Sequence, residues 1–168
     1  FTAFHLNHKL HPEADSISDF IREQHLFKYD KAFSLCTVNR DKPFIGNVEA
    51  AARDWRYSTI EQAYPDSIVL TGHHLNDQME TILMRLMRGK PHDDLGMKQM
   101  VGNRYRPFLE LSKQQIIDEA TKRDIQWRED PTNADNTLER NWVRNVMVPQ
   151  MMVRRNVLKT IPAGLLDV

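Results

Sequence analysis

Residues 67–81 read Ser-Ile-Val-Leu-Thr-Gly-His-His-Leu-Asn-Asp-Gln-Met-Glu-Thr, and this stretch decides the fold. Its first five residues, 67–71, form a compact apolar run that predicts a strand, and turn-forming polar residues follow. From residue 75 to residue 88 the apolar side chains recur at helical spacing, which predicts a helix with a buried stripe. The stripe comprises Leu75, Met79, Ile82, Leu83, Leu86 and Met87. A strand followed directly by an amphipathic helix is the repeating unit of an α/β fold.

The same alternation extends in both directions along the chain. Further strands are predicted at 1–6 and 33–38, and further helices at 14–26, 47–64, 112–124 and 138–153. Segments 89–106 and 129–137 are rich in turn formers and are predicted as loops, the first with little regular structure and the second ordered. Ser112 and Gln115 have the spacing of a helix capping box. We therefore predict an α/β fold, with a mainly parallel sheet flanked by helices and a helical C-terminal segment.

Composition narrows the class of protein. The chain has 168 residues, 40% of them hydrophobic, and its 23 basic and 23 acidic side chains cancel. This balance excludes an intrinsically disordered chain, and no apolar run is long enough to span a membrane. Cys36 is the single cysteine, which excludes a disulfide framework and a cysteine-built zinc or iron–sulfur site within one chain. No signal peptide is recognisable, so the expected location is the cytoplasm.

Two acidic residues are the first candidates for chemistry. Asp77 and Glu80 lie one turn apart on the predicted helix, and with Thr81 they share a face near the carboxyl end of the preceding strand. Ligands of open α/β sheets bind at that edge, where two carboxylates can hold a divalent cation or an ammonium group. Alternatively, Asp77 complements the positive helix N-terminus while Glu80 is solvated. His73 and His74 are open between base, ligand and packed side chain.

Two arginines of the predicted helix 47–64 are candidates for binding an anion. Arg53 follows Glu49 by four residues, so a helical ion pair explains it without any ligand. Arg56 has no acidic residue four positions before it. Arg56 is therefore the better candidate for a phosphate contact.

Neither a GxGxxG fingerprint nor a GxxxxGK[ST] loop occurs in the chain, so a segment outside this sequence would have to hold the phosphates of a nucleotide. His8, at the end of the first predicted strand, is a candidate ligand contact. A metal site with His5 and His11 is rejected, because this spacing along a strand places neighbours on opposite faces. Residues 138–160 contain five basic side chains and one acidic one. Such a stretch suits a polyanion or a solvated helix face equally well.

Several blocks of the sequence resemble the motifs of one family. The blocks are His5–Leu10, Glu49–Tyr57, His73–Thr81, Arg106–Leu109, Glu129–Asn133 and Arg140–Arg144. On these residues the chain resembles the catalytic domain of the tRNA(Ile)-lysidine synthetases, members of the PP-loop (N-type ATP pyrophosphatase) superfamily. The last two blocks are the most specific, and the single cysteine disfavours the tRNA-thiolating relatives. The resemblance implies an adenine nucleotide alpha-hydrolase-like, Rossmann-type fold.

The activity of that family is what the resemblance implies for this chain. With ATP and Mg2+, its members activate the C2 carbonyl oxygen of the wobble cytidine in a CAU-anticodon tRNA(Ile) as an adenylate. The ε-amine of free L-lysine then displaces AMP and forms lysidine. Such chemistry needs donors and a cation at the phosphates, acids that hold the lysine, and an arginine for developing negative charge.

The matching motifs also imply roles for individual residues. The catalytic candidates are Asp77, Arg56, Glu80 and His74, and Asp77 is also the candidate magnesium contact. The candidates for contacts with the nucleotide are Arg53, His73 and His8. The candidates that order the loop after residue 129 and meet the tRNA are Arg140, Asn141 and Arg144.

The sequence departs from the family pattern in three ways. The Ser-Gly-Gly-x-Asp-Ser phosphate loop is expected before Phe1 and is absent from this sequence, so a longer protein or a complementing chain is expected to supply it. Asn76 stands where the family has an aspartate. The C-terminal tRNA-recognition domains usual in longer members of the family are absent from this sequence, and residues 154–168 match no motif of the family. We expect residues 1–153 to form the synthetase core. The alternatives are a non-catalytic tRNA-binding remnant, half of a split enzyme, or a ligase of small molecules, and a homodimer is compatible with all of them.

Overall fold

The computed structural model describes residues 2–28, 34–46 and 48–155, and their side chains except at 25–28, 49, 154 and 155. The chain divides into two compact units, residues 1–67 and residues 68–168. Each unit contains parallel strand pairing, and helices connect or follow the strands in both. The predicted α/β class is thus confirmed.

Unit 1 is a β–α–β–α arrangement. Strand β1 is Thr2–Asn7, helix α1 Ala14–Lys28, strand β2 Ser34–Asn39 and helix α2 Val48–Ala63. The two strands pair in parallel, from Thr2 opposite Ser34 to Asn7 opposite Asn39. Because parallel strands that pair in register end at the same edge, the residues that follow them are neighbours. His8 and Arg40 occupy those two positions, and the Arg40 backbone N–H donates to the Asn7 carbonyl at 3.0 Å.

Unit 2 begins with a short sheet and ends in helices. Its strands are β3 (Val69–Leu70), β4 (Met100–Val101) and β5 (Arg104–Tyr105), with β5 in the centre, parallel to β3 and antiparallel to β4. Its helices are α3 (Leu75–Met87), α4 (Lys113–Lys122), α5 (Glu139–Trp142) and α6 (Val148–Arg155). A π-helical turn, Val143–Met147, joins α5 to α6, and short 3-10 helices cover His92–Asp94 and Pro131–Ala134.

The core of unit 2 lies between helix α3 and the C-terminal helices. Its buried members are Met79, Leu83, Val143 and Val148. Four partly buried methionines pack against them: Met84, Met147, Met151 and Met152. Methionine is flexible and polarizable, so it fills the irregular space that a π-helical turn leaves. This core fixes α3 against the segment that follows α5.

The structure confirms most predicted elements and corrects three predictions, one of which is that strand β3 covers only Val69–Leu70 of the predicted 67–71. Five helical segments lie within a few residues of their predicted positions, and the Ser112–Gln115 capping box is present. Segment 89–106, however, contains the β4–β5 hairpin, whose turn begins at Gly102 with a φ of +59°. The buried stripe of α3 is also shorter than predicted, because Leu86 and Met87 are about half exposed. Phe1, Phe33 and most of 154–168 lie outside the described residues.

Among the described residues, no helix has the length and apolar character that crossing a bilayer requires.

Candidate functional site

The start of helix α3 is held by its own polar side chains. His74 is the N-cap residue, and its Nδ1 accepts a hydrogen bond from the Asp77 backbone N–H at 3.3 Å. In return, Asp77 Oδ2 accepts from the His74 backbone N–H at 3.0 Å, which completes a capping box. Two of the four N–H groups that a helix N-terminus leaves unpaired are satisfied in this way. Nearby, the His73 ring nitrogen Nδ1 lies 2.9 Å from Thr71 Oγ1.

Two arginines from the C-terminal helices meet the acidic pair of α3. Arg140 Nε donates to Glu80 Oε2 at 2.8 Å, and Arg144 Nε donates to Glu80 Oε1 at 2.7 Å. Both arginines also reach Asp77 Oδ1, at 3.1 Å from Arg140 and 3.4 Å from Arg144. We call these four residues, Asp77, Glu80, Arg140 and Arg144, the charge cluster. Two negative and two positive charges balance within it.

Burial and electrostatics make Glu80 the centre of the charge cluster. The Glu80 side chain is 2% exposed and that of Asp77 is 13% exposed, whereas the two arginines keep about 30% of their surface. The hydrogen bonds from Arg144 to Glu80 raise the pKa of the guanidinium above its ordinary value, and the charges of Glu80 and Asp77 add to that shift. A carboxylate this deeply buried requires such partners. The alternative of a solvated Glu80 is therefore wrong.

The charge cluster is continuous with the acidic loop that precedes α5. Arg144 also donates to Asn133 Oδ1 at 2.8 Å. Asn141, which is 6% exposed, donates through Nδ2 to the carbonyls of Thr132 and Asp135 at 2.8 and 2.9 Å. Residues 60 or more positions apart in sequence thus position one loop.

Several polar contacts of unit 2 were not predicted from the sequence. Gln78 is fully buried and clamps Met97, donating to its carbonyl at 3.0 Å and accepting from its N–H at 2.6 Å. Asn76 Oδ1 accepts from the Lys113 backbone N–H at 2.8 Å. An aspartate here would accept the same bond, so the asparagine keeps the contact without the charge. Gln78 stands between Asp77 and Met79 in the sequence, and this position offered no signal of its contact with Met97.

A second group of candidates lies in unit 1, beyond the ends of β1 and β2. The His8 ring packs edge-on against Trp55, with centroids 5.0 Å apart, and its Nε2 lies 3.5 Å from Arg56 Nη2. The Arg40 guanidinium covers the rings of Phe44 and Trp55. We call His8, Arg40, Phe44, Trp55 and Arg56 the aromatic–cation cluster. The sequence singled out only His8 and Arg56 of these, although the place of Arg40 directly after a strand was a usable signal.

The charges of the aromatic–cation cluster come from its arginines alone. Burial lowers the pKa of His8 to about 4, and the positive charges of Arg56 and Arg40 and the ring of His5 add to the shift. His8 is therefore neutral at pH 7. Arg53 is exposed and its guanidinium lies 5.8 Å from the Tyr57 ring centroid. The predicted partner of Arg53, the side chain of Glu49, lies outside the described residues.

The residues of the charge cluster, as arranged here, do not fit a magnesium ion. Both Asp77 oxygens and both Glu80 oxygens already accept hydrogen bonds. Two guanidiniums would also repel a divalent cation that approached the same oxygens. In the described part of the chain, no three histidine, cysteine, aspartate or glutamate side chains converge as metal ligands. The magnesium contact of Asp77 stays a prediction.

Comparison with known proteins agrees with this architecture. The PP-loop domain family matches residues 1–151, so the chain belongs to the PP-loop domain family and has its adenine nucleotide alpha-hydrolase fold. It is similar to the tRNA(Ile)-lysidine synthases of Haemophilus ducreyi, with 36% identity over 90% of this chain, and Actinobacillus pleuropneumoniae serotype 3, with 37% over 88%. The enzyme of the same name from Blochmanniella floridana is 34% identical over 90% of the chain. The chain spans about a third of the length of these curated relatives: 36%, 36% and 31%.

Proposed function

We propose that this chain forms the body of a tRNA(Ile)-lysidine synthetase, a ligase that attaches L-lysine to C2 of the wobble cytidine in a CAU-anticodon tRNA. Membership of the PP-loop family implies use of ATP. The relatives named above are tRNA(Ile)-lysidine synthases, and their sequences match most of this chain. In the proposed reaction, adenylation of the C2 oxygen releases pyrophosphate. The deprotonated ε-amine of lysine then forms the C–N bond while AMP departs with that oxygen.

The observation that carries this proposal is the charge cluster. It joins two sequence blocks that resemble lysidine synthetases, residues 73–81 and the more specific residues 129–144, through direct hydrogen bonds. A ligase that acts on ATP, lysine and a tRNA must hold its groups in a fixed geometry, and buried charge-assisted bonds provide that rigidity. The loop beside the cluster, 131–137, is tied to it by Asn141 and Arg144.

Distances and burial within the charge cluster support different roles for its two acids. Glu80 makes the shorter bonds to the arginines and is almost fully buried, so its role is to position Arg140 and Arg144. Asp77 makes the longer bonds and keeps 13% of its side chain exposed. We therefore assign Asp77 to an ammonium group of lysine, which would replace one of these longer arginine contacts rather than add a further positive charge beside them. Arg140, Asn141 and Arg144 present the adjoining loop to the tRNA.

We assign the binding of ATP to residues outside the charge cluster. Arg56 is exposed, and among the described residues its recorded side-chain hydrogen bond goes to a neutral histidine, so its charge is available to an anionic phosphate. We assign Arg56, with Arg53 and His8 nearby in the same unit, to ATP or the adenylate. His73 and His74, at the carboxyl end of β3, are assigned to the nucleotide crevice. ATP, when bound, supplies the adenylyl group that activates the cytidine oxygen.

The test uses the complete natural polypeptide that contains this sequence. Incorporation of labelled lysine is measured with ATP and a tRNA(Ile) transcript bearing CAU, and a transcript with uridine at the wobble position is the negative control. We expect lysine to enter the CAU transcript only. Asp77→Ala should abolish incorporation with the fold kept, although the melting temperature falls because the capping bond to His74 and the contacts with the two arginines are lost. Arg56→Ala should slow AMP release. Asp118→Asn, an exposed acid on α4, is the matched control for Asp77.

The alternatives give different results in the same assay. A non-catalytic remnant binds the transcript but incorporates no lysine, and a split enzyme does so only after a complementing chain is added. A ligase of small molecules turns over ATP at a rate that tRNA does not change. Full lysine incorporation by Asp77→Ala would contradict the role of that residue.

A further inference from the structure

Among the described residues, Arg40 is a half-buried arginine without an ion-pair partner, and it lies at the end of the sheet in unit 1. The Arg40 guanidinium carbon is 4.1 Å from the centroid of the Phe44 ring and 5.6 Å from that of Trp55. Its Nε atom is buried and has no hydrogen-bond partner among the described residues. The ion pairs recorded for the described part of unit 1 join Lys9 to Asp15 and Arg22 to Asp19, and neither includes Arg40.

This arrangement is costly unless a ligand completes it. A buried polar group without a hydrogen bond destabilises the folded state, and the cost is greater for a charged group. The rings of Phe44 and Trp55 recover part of that cost through cation–π attraction. They also hold the guanidinium in one orientation. A guanidinium held in this way binds a phosphate through two N–H groups and stacks against a base with its flat face.

The surroundings of Arg40 select an anion with an aromatic part. His8 is neutral at pH 7, so it adds no charge, and the side chains of Phe44 and Trp55 remain partly exposed. Beside them, Ile45 is 90% exposed and Val48 is 42% exposed. Exposed apolar groups next to an unneutralised arginine are the combination with which proteins bind unpaired nucleotides.

We propose that Arg40, supported by Phe44 and Trp55, binds the phosphodiester backbone of an unpaired loop of the RNA substrate. The inference rests on the proposed function, since it requires an RNA substrate, and it adds a contact outside the residues assigned to catalysis. A phosphate could also come from ATP. The open, partly apolar surface favours a looped-out RNA nucleotide, and the experiment separates the two sources.

The experiment measures binding of a fluorescent anticodon stem–loop to the complete natural polypeptide at several salt concentrations. Arg40→Gln should weaken binding about tenfold and lower the slope of log K against log salt by about one, the value for one lost phosphate contact. Arg22→Gln removes an exposed arginine of the same unit that is paired with Asp19, and it should leave both quantities unchanged.

Two further variants separate charge from geometry. Arg40→Lys keeps the charge but loses the planar fork, so the salt slope should stay while affinity falls. Phe44→Leu removes the ring beneath the guanidinium, and it should also lower affinity without changing the slope. If Arg40→Gln fails to fold in a melting experiment, these two variants carry the test.

Each remaining outcome is decisive. Wild-type RNA binding by Arg40→Gln at every salt concentration would overturn the inference, while lysine incorporation by the wild type would still support the proposed function. A loss of ATP affinity with RNA affinity unchanged, measured by displacement of a fluorescent ATP analogue, would assign the arginine to ATP and overturn the RNA contact. A wild-type protein that does not bind the stem–loop at all would overturn the RNA contact, while lysine incorporation into the complete transcript decides the proposed function separately.

Discussion

The charge cluster and the aromatic–cation cluster contain the same kind of side chain in opposite situations. In the charge cluster, Arg140 and Arg144 share Glu80 and Asp77, and the two positive charges are neutralised within the protein. In the aromatic–cation cluster, Arg40 packs against rings and its buried Nε has no partner among the described residues. Arginines whose charges are neutralised by buried carboxylates stabilise the packing of helices. An arginine that contacts only aromatic rings keeps its charge available to a ligand.

The largest effect should come from removing the buried acid of the charge cluster. Glu80→Gln keeps the size of the side chain but leaves two arginines without their main partner. Breaking a buried ion pair on one side costs about 3–5 kcal/mol, so we expect a loss of about 3 kcal/mol in the free energy of unfolding. Urea denaturation measures this free energy of unfolding, and Glu110→Gln, at an exposed glutamate, is the control. A loss below about 1 kcal/mol would mean that the cluster contributes no more than a surface pair.

A smaller effect is expected where the cluster joins the loop 131–137. Asn141→Ala leaves the carbonyls of Thr132 and Asp135 without their donor, which costs about 1–2 kcal/mol. Limited proteolysis should then cleave the loop faster, and lysine incorporation should fall. Asn145→Ala, an exposed neighbour with bonds to the same loop, is the matched comparison. Equal cleavage rates in the two variants would argue against a special role for the buried amide.

The aromatic–cation cluster predicts a pH dependence of stability. The folded-state pKa of His8 is about 4, below its ordinary value of 6.5. Between these two pH values, His8 is therefore protonated in the unfolded chain but neutral in the folded one. The contribution of His8 to stability is therefore complete above pH 6.5 and is lost as the pH falls toward 4. Unfolding free energies at pH 7 and pH 5 should differ less in His8→Gln than in the wild type. An identical pH dependence would show that His8 titrates normally.

The smallest effect should come from an ion pair on the surface. Arg88 and Glu139 form a salt bridge with about half of each side chain exposed. Water and salt screen such pairs, so Arg88→Gln should change the free energy of unfolding by at most about 0.5 kcal/mol. Compared with Glu80→Gln under the same conditions, this variant isolates the effect of burial. Similar losses in the two variants would contradict the contrast drawn here.

Sequence patterns predicted the elements that local periodicity determines. Helix α3 was predicted at 75–88 and lies at Leu75–Met87, because its apolar spacing and its polar N-terminus act within one element. Strand β3 is shorter than the predicted 67–71, since only Val69 and Leu70 find partners on β5. The β4–β5 hairpin was missed, although glycine before asparagine at 102–103 is a known hairpin signal.

Contacts between distant segments were beyond sequence patterns. Asp77 and Glu80 were recognised as a pair, but nothing local indicates that Arg140 and Arg144 lie against them. The arginines were predicted to order the loop after residue 129 and to meet the tRNA, and Arg144 does contact that loop at Asn133. Their contacts with Glu80 depend on how α3 packs against the C-terminal helices. In the same way, the stacking of Arg40 depends on α2 returning to the end of β2.

The π-helical turn Val143–Met147 sets the rotational phase of the C-terminal helix. Each residue advances a helix by about 100°, so deleting one residue from this turn would rotate everything after it by that angle. Val148 and Met151 would then leave the core while Arg140 kept its place. The number of residues in this turn is therefore constrained by the contacts on both sides of it. With five residues, one helical segment brings arginines to Asp77 and Glu80 and places methionines in the core.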